Sequence, residues 1–239
     1  VIGSLGNSVS TSAISNESMK VEITFPNDPI THRPNDQIMT ESTGKLVVAI
    51  TGASGAPYAI KFLQEAVKHY REIYVALSDQ ALQVISLETG QTVNPRTVSA
   101  ETLLGFPSDV LKFVEKRDYF SPPASGSFRH DGMVIVPCSM GTAARIANGI
   151  SDDLVTRAAD VCLKEGRKLI LVPRETPWNL IHLRNMTQLA EAGATILPAA
   201  PGFYHQPKTI DDLVSQLVGR ILQQLGVQQN LTPQWAYDE

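Results

Sequence analysis

Six short segments of this chain gather side chains able to hold and process phosphorylated ligands: TGASGA (51–56), PPASGS (122–127), PCSMGT (137–142), RAADVCLKE (157–165), VPRETP (172–177) and APGFYHQP (200–207). Gly52, Ala53 and Ser54 stand between an apolar run and a helical pattern. A glycine-rich turn there brings backbone N–H groups and a helix N-terminus to a phosphate. The turn is neither GxGxxG nor a Walker sequence, and a plain tight turn reads equally well from it. Ser139, Met140, Gly141 and Thr142 repeat the arrangement after a later apolar run, where a hydroxyl would also cap the next helix. Arg157 and Lys164 lie two helical turns apart and so share a face; a solvated face is the commoner reading of such a pair, a phosphate clamp the sharper one. Arg174 and Glu175 sit between Pro173 and Pro177, which stiffen their loop. They read as an ion pair or as an anchor beside a proton carrier. Tyr204 occupies a Pro/Gly-bounded loop, the usual place for ligand or interface aromatics. Arg220 interrupts an apolar helix face and, if it faces inward, needs an anionic partner. The set is suited to two phosphorylated ligands in one pocket.

Composition narrows the function classes. Hydrophobic residues make up 43% and charged residues 18% of 239 residues, the balance of a globular protein. The formal net charge of −4 gives no basic field for nucleic acid. The apolar runs have strand length, far short of a membrane span. Cys138 and Cys162 show no CxxC or paired-histidine spacing, so neither a zinc site nor a disulfide framework is expected. A reducing cytoplasm is the default compartment.

The elements that must position these residues follow from periodicity. Strands are expected at 45–51, 72–78, 133–138, 168–173 and 194–199, and helices at 57–69, 80–89, from 141, 151–166, 178–192 and 209–226. Ser151 is the expected N-cap of the fourth of these helices and Gly166 its stop. Alternation of strand and helix implies right-handed βαβ units on a mostly parallel sheet in three α/β/α layers. The stretch 90–131 has the weakest pattern and reads as an insertion lining the pocket. Residues 1–44 are polar, without a period, and read as disordered or loosely attached. A main domain follows at 45–228, with a tail at 229–239.

Taken together, the segments resemble the UbiX-type flavin prenyltransferase family, from about Lys45 to Trp235 and in the family's order, with LTPQW in the tail also fitting. The resemblance implies a Rossmann-like flavoprotein fold, assembly as a dodecamer, and transfer of a dimethylallyl group from dimethylallyl monophosphate to N5 and C6 of reduced FMN. No metal is implied. Prenylated FMN would pass to a UbiD-type decarboxylase, with ubiquinone biosynthesis as one route. By the same resemblance Gly52, Ala53, Ser54, Ser78, Ser139, Met140, Gly141, Thr142 and Arg174 contact FMN. Ser125, Gly126, Arg157, Lys164, Tyr204 and Arg220 form the prenyl phosphate pocket, some of them contributed by a neighbouring subunit. Ser54, Glu88, Glu175 and Lys164 carry the catalytic roles. A tryptophan frequent in the family before PPASGS is absent; Tyr119 and Phe120 stand there, and Tyr119 is expected to supply the aromatic wall. The tail is expected to pack on a neighbouring subunit. An FMN carrier, a partner-binding subunit without prenyl transfer, and a cysteine decarboxylase on the same fold are the competing readings. The last would need a histidine base for which there is no counterpart.

Overall fold

The computed structural model describes residues 42–231, apart from 92, 95 and 96. The expectations for 1–41, and for the tail from Thr232 on, lie outside the described residues.

Six strands form one sheet: β1 (Lys45–Ile50), β2 (Glu72–Leu77), β3 (Leu111–Val114), β4 (Met133–Cys138), β5 (Leu169–Pro173) and β6 (Thr195–Ile196). Their order is β3-β2-β1-β4-β5-β6, and every neighbouring pair runs parallel. Helices α1 (Ala56–Ala66), α2 (Asp79–Thr89), α3 (Ala100–Leu104), α4 (Met140–Ala147), α5 (Leu154–Lys164), α6 (Leu180–Glu191) and α7 (Ile210–Leu225) make the connections.

The central strands are apolar at every position because helices cover both faces. Leu46, Val48 and Ile50 point into one layer, where they meet Phe62 and Leu63 of α1, Ile85 of α2, Leu103 of α3 and Val218 of α7. Val47 and Ala49 point the other way, to Ala143 of α4, Ala158 and Cys162 of α5 and Leu189 of α6. The period of two along β1 therefore assigns α1, α2, α3 and α7 to one layer and α4, α5 and α6 to the other.

Three expectations are corrected. The stretch 90–131 is no insertion, since Leu111–Val114 pairs with β2 and completes the sheet edge. Four residues, one of them Lys112, give too short an alternation to stand out in sequence. Ser151 is not the cap of α5: Asp153 is, accepting the Thr156 amide while the Thr156 hydroxyl accepts the Asp153 amide. Gly166 does end the helix, with φ of 63°. The last strand shrinks to Thr195–Ile196, with Pro198 close behind. At the other end, the Asp131 carboxylate accepts the amides of Thr43 and Gly44 and the Ser42 hydroxyl, which anchors the start of β1.

Candidate active site

From β1 the chain steps outward to β2 and β3, then returns to β4 on the other side of β1. Loops leaving β1 and β4 diverge into opposite helix layers and open a crevice at the carboxyl edge, the usual ligand position in such sheets. Both Gly/Ser turns lie there and are latched together. Thr51, buried, donates its hydroxyl to the Pro137 carbonyl at 2.8 Å and accepts the Ser139 amide at 2.8 Å. Arg174, just past β5, gives its amide to the Cys138 carbonyl (3.3 Å) and its Nε to the Ser54 carbonyl (3.1 Å). Ser78 ends β2 beside them, its amide on the Ile50 carbonyl and its hydroxyl capping α2 through the Ala81 amide. Gly52, Ala53, Ser54, Ser78, Ser139, Met140, Gly141, Thr142 and Arg174 thus share one edge of the sheet.

The N-termini of α1 and α4 at this crevice differ. At α1 the Glu88 carboxylate accepts the amides of Gly55 (2.9 Å) and Ala56 (2.8 Å), so an anion of the chain itself fills that position. Gly55 makes this possible with φ of 125°, a region closed to most side chains. At α4 the Ser139 hydroxyl takes the Thr142 amide (3.3 Å), leaving the Met140 and Gly141 amides without intrahelical acceptors. No atom lies within 4 Å of where a Cβ at Gly141 would stand. The open turn, the hydroxyls and the fixed Arg174 fit an anionic flavin mononucleotide, with α4 rather than α1 as the free helix end.

A second group forms where α5 meets the loop holding Ser125 and Gly126. Arg157 Nε donates to the Ala124 carbonyl (3.2 Å), and its Nη1 to Asp160 (2.8 Å). Lys164 pairs with Glu165 directly over Gly126, where an added Cβ would stand 2.8 Å from Lys164 Nζ. The expected common face of Arg157 and Lys164 is therefore real, and both border one loop. The ammonium holds the Glu165 carboxyl below the usual carboxylate range, chiefly through their hydrogen bond.

Tyr204 and Arg220 line a cleft of about 630 Å³ between β6, the 197–205 loop and α7. Arg220 is exposed and donates to Gln223 at 2.7 Å; it does not face inward as the helix pattern implied. Tyr204 is 79% exposed. Glu175 is exposed, its carboxylate accepting the Thr176 amide at 3.0 Å and its carbonyl the Trp178 indole at 2.9 Å. Tyr119 donates to the Ser151 carbonyl (3.3 Å), while Phe120 beside it is fully exposed. Both thiols are free and buried, and burial pushes Cys138 and Cys162 up to about 12, so neither is a nucleophile. No cluster of metal-ligating side chains and no helix long and apolar enough to cross a membrane occurs among the described residues.

The chain matches the family model described as Flavoprotein over residues 35–222. It is 47% identical over 198 residues to the flavin prenyltransferase UbiX of Alkalihalophilus pseudofirmus, covering 82% of this chain and 99% of the relative. The chain belongs to the UbiX-type flavin prenyltransferase family. Among solved structures, AnUbiX (PadA1) in complex with FMN and dimethylallyl pyrophosphate is 42% identical, with TM-score 0.73, covering 82% of this chain and 98% of that one. A dodecameric FMN-dependent UbiX-like decarboxylase from Escherichia coli O157:H7 is 42% identical, with TM-score 0.70, covering 80% and 98%.

Sequence reading missed three residues that adjoin the expected site residues. Arg145 bridges Asp152 and Asp153 to Thr142, linking the α4 turn to the start of α5. Arg167 grips the Ser125–Gly126 loop from behind. Gln216 keeps a buried Oε1 without a partner in the wall of the Tyr204–Arg220 cleft. All three act through tertiary contacts, and no spacing rule marks them.

Proposed function

We infer that this chain is a flavin prenyltransferase that joins a dimethylallyl group from a dimethylallyl phosphate to FMN. The carrying observation is the 42% identity and 98% coverage of a structure solved with FMN and dimethylallyl pyrophosphate. A crevice built for an anionic mononucleotide, at the switch point of this chain's own sheet, supports it.

Reduced FMN, when bound, supplies the nucleophile and the two ring atoms, N5 and C6, that receive the allyl group. Gly52, Ala53, Ser54, Ser78, Ser139 to Thr142 and Arg174 hold and orient it. Lys164, Arg157, Arg220 and the Tyr204 hydroxyl bind the phosphate of dimethylallyl monophosphate, and Ser125 and Gly126 line its seat. These cations stabilise the charge that develops on phosphate as its bond to the allyl carbon breaks, the same role a metal fills in other prenyl transfers. Tyr119 offers an aromatic face to the allyl cation character at that moment. Glu175 takes and returns a proton at its carboxylate during closure of the second bond, and Ser54 and Glu88 assist from the α1 end.

The phosphate ligands set the assembly. Arg157 and Lys164 stand on α5 in one helix layer, Arg220 on α7 in the opposite layer. Their convergence on one phosphate needs a second copy, in keeping with the dodecameric relative. The product is destined for a UbiD-type decarboxylase, in the cytoplasm.

The test is anaerobic incubation with reduced FMN and dimethylallyl monophosphate, followed by mass spectrometry of the extracted flavin. One C5H8 unit is gained by the wild type and lost in Lys164→Ala. Glu175→Gln retains the first bond and stalls afterwards; full turnover by that variant removes Glu175 from the mechanism. Unmodified FMN from a protein that binds it would leave the carrier reading.

A further inference from the structure

The loop holding Ser125 and Gly126 has its carbonyls drawn back toward α5. Arg157 takes that of Ala124 (3.2 Å). Arg167 spreads its guanidinium over two more, Nη1 on Phe128 at 2.8 Å and Nη2 on Gly126. Arg167 follows Gly166, the turn that ends α5, and its own amide returns to the Cys162 carbonyl at 2.8 Å. One residue therefore ties the end of α5, with Lys164, to the loop beneath it. The spacing is close, since the Lys164 ammonium and the Glu165 carboxylate occupy the space a side chain at Gly126 would need. His130 fixes the far end: it is buried, pairs through Nδ1 with the Gly132 carbonyl at 2.9 Å, and stacks on Phe128 with centroids 5.7 Å apart.

The consequence falls on the next amide along the loop. In a planar trans peptide the C=O and the following N–H point in opposite directions. Holding the Gly126 carbonyl against Arg167 turns the Ser127 amide away, toward the Ser125 hydroxyl at 3.3 Å. The Ser125 and Ser127 hydroxyls stand 2.8 Å apart, and both residues are exposed.

We propose that Arg167 is a positioning residue for prenyl transfer, whose two-pronged grip sets the Ser125–Gly126 loop against Lys164 so that hydroxyl and ammonium converge on one phosphate. This rests on the prenyltransferase reading. The rigid fork of a guanidinium can serve both carbonyls at once, and a lysine ammonium cannot match it. The full chain is compared with Arg167→Lys and Arg167→Met for KM of dimethylallyl monophosphate, kcat, FMN affinity and thermal midpoint. Both variants should raise that KM about tenfold or more, with FMN affinity within about threefold and kcat less affected than KM. Added guanidinium ion should restore part of the loss in Arg167→Ala. A wild-type KM in Arg167→Lys overturns the proposal, because charge alone then suffices. So does a KM that rises only together with weakened FMN binding and a lowered midpoint. Should Arg167→Met not fold, Arg167→Lys decides alone. Should the wild type make no prenylated flavin, the reaction reading fails, and calorimetric titration with dimethylallyl monophosphate still tests Arg167: about tenfold weaker binding in Arg167→Lys supports the clamp, and unchanged binding sinks it.

Discussion

At the β1–β4 switch point the site residues are fastened to one another. Thr51 joins both turns, and Arg174 joins the loops after β1, β4 and β5. The cations proposed to bind the prenyl phosphate are arranged otherwise. Arg157 pairs with Asp160 one turn along α5, Lys164 with Glu165 at the end of that helix, and Arg220 rests on Gln223 in the other layer. Both regions use backbone amides, hydroxyls and guanidinium groups. The residues proposed to hold FMN meet within one chain because parallel topology brings their loops to one edge. The residues proposed to hold the prenyl phosphate stand on helices in opposite layers, so on that proposal their convergence is a property of the assembly. A bound phosphate would also have to draw the cations from their present partners, whereas the first group needs no such exchange.

The largest effect expected of this contrast is complementation. Lys164→Ala and Arg220→Ala should each lower prenyl transfer by about a hundredfold or more, as removal of a transition-state donor does, while FMN binding persists. Oligomers reassembled from an equal mixture of the two should regain about a quarter of the wild-type rate, since sites shared between copies then receive both residues by chance. A mixture no more active than its parents would mean that both residues serve one chain's site.

A middle-sized effect belongs to the latch. Thr51→Val keeps the shape but leaves the Ser139 amide without its acceptor in the protein interior. A loss of about 1–3 kcal/mol is expected, read as a lower urea midpoint at unchanged slope. FMN affinity should fall with it and the KM for the prenyl phosphate should not rise. If that KM rises as well, the two groups are one cooperative unit and the comparison fails.

The smallest effect concerns the cap of α5. Burial works to raise the Asp153 carboxyl, but the Thr156 amide and hydroxyl and the Arg145 guanidinium outweigh it and hold it below the usual aspartate range. A lowered folded value stabilises the protein above the unfolded value of about 4, and this contribution is lost as pH falls through the folded value. Asp153→Ala should therefore cost about 1 kcal/mol at neutral pH, with the gap to wild type closing below about pH 4. Urea melts at neutral and acid pH test this; a gap that persists in acid would assign the effect to packing rather than charge.

How far sequence reached differs by element. The six matched segments and five of the strands were legible, because buried parallel strands are near-continuous apolar runs and glycine turns punctuate them. β3 was not, being four residues with a lysine at an edge where one partner strand replaces two. Ser151, Asp152 and Asp153 all qualify as caps by type. The selection of Asp153 came from its reciprocal bonds with Thr156 and from Arg145 approaching on α4. The Ser151 carbonyl instead receives Tyr119, a contact across the fold.

The sequence by itself determined the fold class, the alternating layers and the chemistry of the ligands, since each rests on local pattern and residue type. Tertiary structure alone decided that Glu88 occupies the α1 end while α4 stays open, that the clamp residues fall in opposite layers, and that Arg167 stands behind the Ser125–Gly126 loop. Those outcomes depend on where backbone amides and carbonyls meet across the sheet, and that geometry is fixed only when strands distant in sequence pair.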